Sequence, residues 1–210
     1  RRYSSWSLRG WLAGKLAALD VDEVLIPLDG SGATAAVAQA SPSGLVPCLE
    51  HRGNCVWESL AICEYCAEIA PALWPTDRAA RAHARSVAAE MHAEFRELRQ
   101  AMPMNLGRAF PGRGRTPGAL ADIARIQAIW RQASEQFGDR GPFLFGAGFT
   151  AADAMYAPVV ARFLTYQPEI GALAREYGEA VRSHPLVDAW YRAASVEPEV
   201  WRVAKYENPE

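Results

Sequence analysis

Three features are scarce in this sequence, and each scarcity excludes a class of function. No stretch approaches the roughly 18 consecutive uncharged apolar residues of a membrane-spanning helix, and no basic start leads into an apolar leader. Neither charge sign is in excess: 22 basic side chains stand against 24 acidic ones, a net charge of −2. Nucleic-acid binding needs a clustered surplus of Lys and Arg to displace counterions, so this balance argues against it. Four cysteines in 210 residues are too few for a disulfide framework. The expectation is a soluble, cytoplasmic, globular protein without a membrane or nucleic-acid partner.

What is present divides into two halves of different periodicity. Residues 5–19 read as a helix, because Leu8, Trp11, Leu12, Leu16 and Leu19 recur at spacings of three and four. Residues 23–28 read as a strand, with Pro27 placing it at a sheet edge. Residues 34–40 suit a short helix. Residues 46–51 and 54–57 read as two strands joined by a tight Arg52-Gly53 turn, and 59–70 as a helix. Beyond the Pro71 to Pro75 break the strand signal ends. Helices are expected over 78–102, 119–137, 150–166, 170–182 and 185–195. The domains implied are 1–72, mixed α/β, and 78–210, all helical.

A helix, an edge strand and a hairpin followed by a helix make up the larger part of a thioredoxin-like unit. In such a unit the first helix follows a central strand, whose removal would leave facing backbone edges unpaired. The sequence opens Arg1-Arg2-Tyr3 without Met, so either that strand is expected upstream of Arg1 or the sheet is unusually short.

Five stretches resemble one family in the right order. Tyr3-Ser4-Ser5-Trp6-Ser7-Leu8-Arg9 is similar to the Ser-Ser start of the first helix in zeta-like, serine-type cytosolic glutathione transferases. Ser43-Gly44-Leu45-Val46-Pro47 resembles their Val-Pro loop, and Trp57-Glu58-Ser59-Leu60-Ala61-Ile62 their Glu-Ser helix start. Leu73-Trp74-Pro75-Thr76-Asp77 looks like the interdomain linker, and Thr150-Ala151-Ala152-Asp153 like the capping box of a later helix. The resemblance implies a thioredoxin-like N-terminal domain, an all-helical C-terminal bundle, glutathione as co-substrate, no metal, and a homodimer.

Physical chemistry gives these residue types reasons. A free thiol with pKa near 8.5 is only roughly 3 % ionised at pH 7, and half ionisation requires about 2 kcal/mol. One hydroxyl hydrogen bond to the charged sulfur supplies about 1.5–3 kcal/mol, aided by a helix N-terminus. Ser4 and Ser5 are the candidates, Ser4 first by the family match; either could equally be a helix cap. A cis Val46-Pro47 bond would expose the Val46 backbone to an extended peptide, which the resemblance implies is the cysteinyl part of glutathione. Ser59 is expected to cap its helix while binding the γ-glutamyl carboxylate, with Glu58 near the ammonium. Residues 30–45 contain no Lys, Arg or His, leaving Gln39 as the long donor for the glycyl carboxylate. Trp6, Met104, Asn105, Phe110 and Arg108 are acceptor-site candidates by position, and Arg113 and Arg115 nearby would favour an anionic acceptor. Trp6 stands where zeta-like members often carry Cys, which counts against isomerase chemistry on a cis-unsaturated diketo acid. A non-catalytic binding protein is the remaining alternative.

Other signals are set aside. Cys63 and Cys66 have redox spacing, but lie inside a helix as apolar-face residues. Cys48 and Cys55 do not form a second close pair in sequence, and the four histidines are scattered, so no zinc site is expected. Gly30-Ser31-Gly32 lacks the Lys of a phosphate loop. Thr150 and Asp153 read as a structural capping box.

Overall fold

A computed structural model describes residues 1–28, 34–139 and 141–209. Gly30-Ser31-Gly32, and with it the beginning of the 30–45 loop, lies outside the described residues.

Helix α1 (Ser5–Leu16) starts where the Ser4 side chain accepts a hydrogen bond from the Ser7 N–H at 3.2 Å. It stops short of the expected Leu19. Ala18 adopts φ 53°, and the N–H groups of Ala18 and Leu19 donate to the carbonyls of Lys15 and Gly14. This left-handed cap turns Leu19 back onto the core. Next come α2 (Ala35–Ala40), β1 (Cys48–His51) and β2 (Asn54–Trp57). The strands pair antiparallel with Leu49 opposite Val56 and Glu50 opposite Cys55. Arg52 and Gly53 both have positive φ, as a two-residue hairpin turn requires. The first of these strands begins at Cys48, two residues later than expected, because Val46-Pro47 is a cis peptide ahead of it.

The strand expected over 23–28 is not formed. That segment and β1 line one cavity of about 610 Å³, and no strand lies between them among the described residues. An extended segment without a ladder partner has nothing to satisfy its backbone as a strand. The sheet among the described residues is therefore the β1–β2 pair.

Helix α3 (Ser59–Ile69) leads through a 3₁₀ turn at Pro71–Leu73 into the helical half. The single helix expected over 78–102 is two: α4 (Arg78–Ala93) and α5 (Arg96–Ala101). Phe95 between them takes φ 62° and is buried. The Asp122 carboxylate then accepts a hydrogen bond from the Leu98 N–H of α5 at 2.8 Å. The apolar period runs unbroken across this corner, so the pattern could not reveal it.

Helix α6 (Pro117–Phe137) carries Thr116 as cap and Pro117 in its first turn. Helix α7 (Ala151–Tyr166) is buried on nearly every face and forms the axis of the bundle. Its capping box is formed as read: the Thr150 N–H and hydroxyl each donate to Asp153 at 2.8 Å. Helices α8 (Ala172–Ser183), α9 (Pro185–Ser195) and the short α10 (Ala204–Glu207) complete the chain. One side of α1 packs on α3 and another on α7, so a continuous core joins the α/β part to the bundle.

Candidate functional site

The N-terminus of α1 presents two serines in different surroundings. Ser4 is half-buried, and its hydroxyl donates to Ser7 Oγ at 2.8 Å while accepting from the Ser7 N–H. Ser5 is 1 % exposed; it accepts from Arg162 Nη2 at 2.9 Å and its hydroxyl faces Met104 Sδ at 3.8 Å. One hydroxyl is open to a ligand and the other is sealed in packing.

Ser4, Val46 and Pro47 line the same cavity, the one bounded by the 19–28 segment and β1. The Val46 N–H and C=O have no backbone hydrogen-bond partner among the described residues. Pro47 rests on α1 at Gly10.

Helix α3 opens differently from expectation. Its N-cap is Glu58, held at φ 68° with no side-chain cap, and Ser59 is the first helical residue rather than the cap. Ser59 is fully buried and its Oγ has no hydrogen-bond partner. A buried hydroxyl without a partner costs about 1–3 kcal/mol, and neither Ser59 nor Glu58 lines the cavity that holds Ser4 and Val46. The helix N–H groups beside it favour an anion. Glu58 is exposed and stands 3.6 Å from His92 Nε2. Burial lowers the His92 pKa; Glu58 opposes that shift, while the charges of Arg9 and Arg99 add to it.

A cationic cluster under α1 was not singled out from the sequence. Arg9 is fully buried, donates from Nε to the Met155 carbonyl at 3.0 Å, and leaves Nη1 and Nη2 without partners. Burial, then the charges of Arg162 and Arg99, lower its pKa to about 9. Arg162 donates to the carbonyls of Met102 and Pro158 as well as to Ser5, with its pKa lowered by burial to about 10. The guanidinium carbons of Arg9 and Arg99 lie 5.5 and 5.6 Å from the centre of the Trp6 ring. This positive charge has the sign of the helix N-terminus above it and favours an anion there. The sequence held a signal: Arg9 falls four residues after Ser5 and three before Leu12, on the apolar stripe.

Ser5, Trp6 and the remaining candidates do not line the cavity either. Gln39 is exposed on α2. Asn105 is fully buried, donating to the Tyr206 carbonyl and Glu207 and accepting from the Gly107 N–H. Met104 is buried against Ser5, and Phe110 packs on Tyr166 at 5.6 Å. Arg108 pairs with Glu207 at 3.8 Å, Arg113 donates to the Pro209 carbonyl, and Arg115 to that of Gln167. Asn105, Arg108 and Arg113 fasten the end of the chain to the bundle.

Cys63 and Cys66 are buried thiols whose pKa values burial pushes up to about 12 and about 11. Cys48 and Cys55, not a close pair in sequence, are neighbours in space. The hairpin brings their sulfurs to 3.3 Å, a proximity that seven residues of sequence spacing conceal. Among the described residues no three His, Cys, Asp or Glu side chains are grouped as metal ligands, and no helix is long and apolar enough to cross a membrane.

Residues 3–69 match the family model described as glutathione S-transferase, N-terminal domain, and residues 87–193 that described as glutathione S-transferase, C-terminal domain. No curated protein sequence gives a significant match. A glutathione transferase homolog from Burkholderia GL BGR1, solved with bound glutathione, is 21% identical over 93% of this chain and 94% of its own, with TM-score 0.68. A bacterial maleyl pyruvate isomerase of the zeta class is 22% identical over 93% of this chain and 95% of its own, TM-score 0.69. A monomeric glutathione S-transferase of the hookworm Necator americanus is 18% identical over 92% of each chain, TM-score 0.67. These likenesses establish the architecture, a thioredoxin-like domain followed by a helical bundle. With both of its halves matched, the chain belongs to the glutathione S-transferase family.

Proposed function

We propose that the protein is a serine-type, zeta-like glutathione transferase that directs the glutathione thiolate at small electrophiles. The observation that carries this reading is the half-buried Ser4 hydroxyl at the N-terminus of α1, in one cavity wall with Val46 and Pro47. In the described state its proton points at Ser7; rotation about Cα–Cβ redirects it to a sulfur anion. Helix dipole and the Arg9–Arg162 pair lower the cost of that anion. The unpartnered Ser59 Oγ and the free N–H groups of α3 suit the γ-glutamyl carboxylate, and exposed Glu58 suits the ammonium. Val46 supplies backbone hydrogen bonds to the peptide. Ser5 serves as the support between Arg162 and Met104 rather than as the thiolate donor. Gln39 remains the proposed donor for the glycyl carboxylate. Trp6, within cation–π distance of Arg9 and Arg99, is the proposed acceptor-side residue, with Met104, Asn105, Phe110 and Arg108 as the further acceptor candidates. A cytoplasmic homodimer with no metal requirement completes the reading.

A second reading is glutathione-dependent cis–trans isomerisation of an unsaturated diketo acid, favoured by the positive cluster of Arg9, Arg99 and Arg162. The experiment is retention on immobilised glutathione, followed by conjugation of an aryl halide and isomerisation of a maleyl-type acid. Conjugation depressed by Ser4→Ala supports the first reading, and isomerisation without conjugation the second. Retention with no turnover of either substrate makes the protein a binding module, and failure of retention removes glutathione from the reading altogether.

A further inference from the structure

Cys48 and Cys55 occupy diagonal positions of the hairpin: Cys48 is opposite Trp57, and Cys55 is opposite Glu50. Alternation along a strand sends both side chains from one face, while Leu49 and Val56 pack against the core from the other. Both are free thiols with their sulfurs 3.3 Å apart. A disulfide has its sulfurs at about 2.05 Å, so small side-chain rotations suffice to close the pair.

The two thiols are unequal. Cys55 is exposed at the rim of the turn, whereas Cys48 is partly covered. Burial, and then the hydrogen bond and charge of Cys55 itself, push the Cys48 pKa up to about 11. Cys63 and Cys66 lie sealed in α3, inert by burial.

We propose that Cys48 and Cys55 form a thiol–disulfide exchange site that takes a small disulfide of the glutathione disulfide class and ends as a bond stapling β1 to β2. The site does not depend on the transferase reading. Cys55 loses its proton to solvent and its thiolate attacks one sulfur of the small disulfide. The bond from Cys55 to that sulfur forms, the original disulfide bond breaks, and the departing thiolate takes up a proton. Once capped, Cys55 no longer opposes ionisation of Cys48. Cys48 then gives up its proton and attacks Cys55 Sγ, expelling the second small thiol. Two electrons pass from the protein dithiol to the small disulfide, giving one intramolecular disulfide and two small thiols. The new bond closes at Cys48, the first residue of β1, so it fixes the strand that directly follows Val46-Pro47.

The test treats the full chain, under native conditions, with excess glutathione disulfide, then alkylates remaining thiols and maps tryptic peptides. Cleavage at Arg52 separates Cys48 from a peptide, residues 53–78, that carries Cys55, Cys63 and Cys66, so fragmentation of the linked pair locates the bond. The expected result is loss of two of the four thiols, with Cys48 joined to Cys55. Cys48→Ser should stop at a glutathione mixed disulfide on Cys55, and Cys55→Ser should keep its three thiols. Retention of all four thiols by the wild-type chain, a mixed disulfide that never resolves, or a bond involving Cys63 or Cys66 would each overturn the proposal. The wild-type map decides the matter even if a serine variant folds poorly.

Discussion

A Cβ on Gly10 would lie 2.8 Å from Pro47 Cγ and 3.1 Å from its Cβ. The first helix and the cis proline thus meet at a position where no side chain fits. Close approach here sets Val46 beside the N-terminus of α1, so one hydrogen atom in place of a methyl group governs the spacing of the candidate site.

The glycine contrast in α1 follows directly. Gly10→Ala is expected to destabilise by about 1–3 kcal/mol through overpacking against Pro47, and to weaken retention on glutathione. At Gly14 the nearest atom to an added Cβ is Val21 Cγ2 at 3.9 Å, an ordinary contact. Gly14→Ala should therefore stabilise by about 0.5–1 kcal/mol, the usual helix gain. Urea denaturation of the two variants reads both signs; equal effects would show that Pro47 does not restrict Gly10.

Ser4 and Ser5 should separate in kinetics and in stability. Ser4→Ala removes a hydroxyl worth about 1.5–3 kcal/mol to a thiolate, so conjugation at neutral pH should fall by about 10-fold or more. Its pH–rate profile should move to the alkaline side, because the thiol loses a stabiliser of its charged form. Ser5→Ala strips a buried partner from Arg162 Nη2, costing about 1–3 kcal/mol of stability with the pH profile unmoved. An alkaline shift in Ser5→Ala alone would reverse the assignment.

Asp153 is fully buried and accepts from the Thr150 N–H and hydroxyl, the Leu144 N–H and the Tyr177 hydroxyl. Asp153→Ala leaves these donors unpaired inside the bundle and should cost about 3 kcal/mol or more. Asp153→Asn keeps part of the set and should cost less. Thermal melting ranks the two; turnover per folded molecule should remain that of the wild type.

His184 gives a pH dependence with a definite sign. Burial holds its pKa below the usual 6.5, and its ring stacks on Phe149 at 4.2 Å between centroids. Between the lowered value and 6.5 the unfolded chain binds more protons than the folded one, so stability is lost as pH falls through that window. His92 contributes in the same direction. His184→Phe should therefore gain on the wild type as pH is lowered from 7.5 to 5.5. Parallel melting curves across that range would contradict this.

Local signals were legible because their causes are local. Arg52-Gly53 forces the hairpin, Thr150 and Asp153 cap each other three residues apart, and Ser4 closes the first turn of α1. The corner at Phe95 was not legible: its buried ring and the reach of Asp122 from α6 create it, and neither alters the apolar period of residues 78–102. Residues 23–28 have strand-like composition, yet a strand exists only where another backbone pairs with it. Ser59 looked like a cap, but the positive φ of Glu58 shifts the helix start and turns the Ser59 hydroxyl into a buried, unpartnered group.

By itself, then, the sequence determined the α/β-then-helical order, the hairpin, the caps and the absence of any membrane-length apolar helix among the described residues, because patterning and capping act within a few residues. Only the tertiary structure decided which serine stays open, where the buried arginines gather and that Cys48 meets Cys55. Those outcomes depend on which distant segments pack together, and packing is a property of the whole chain rather than of any short window.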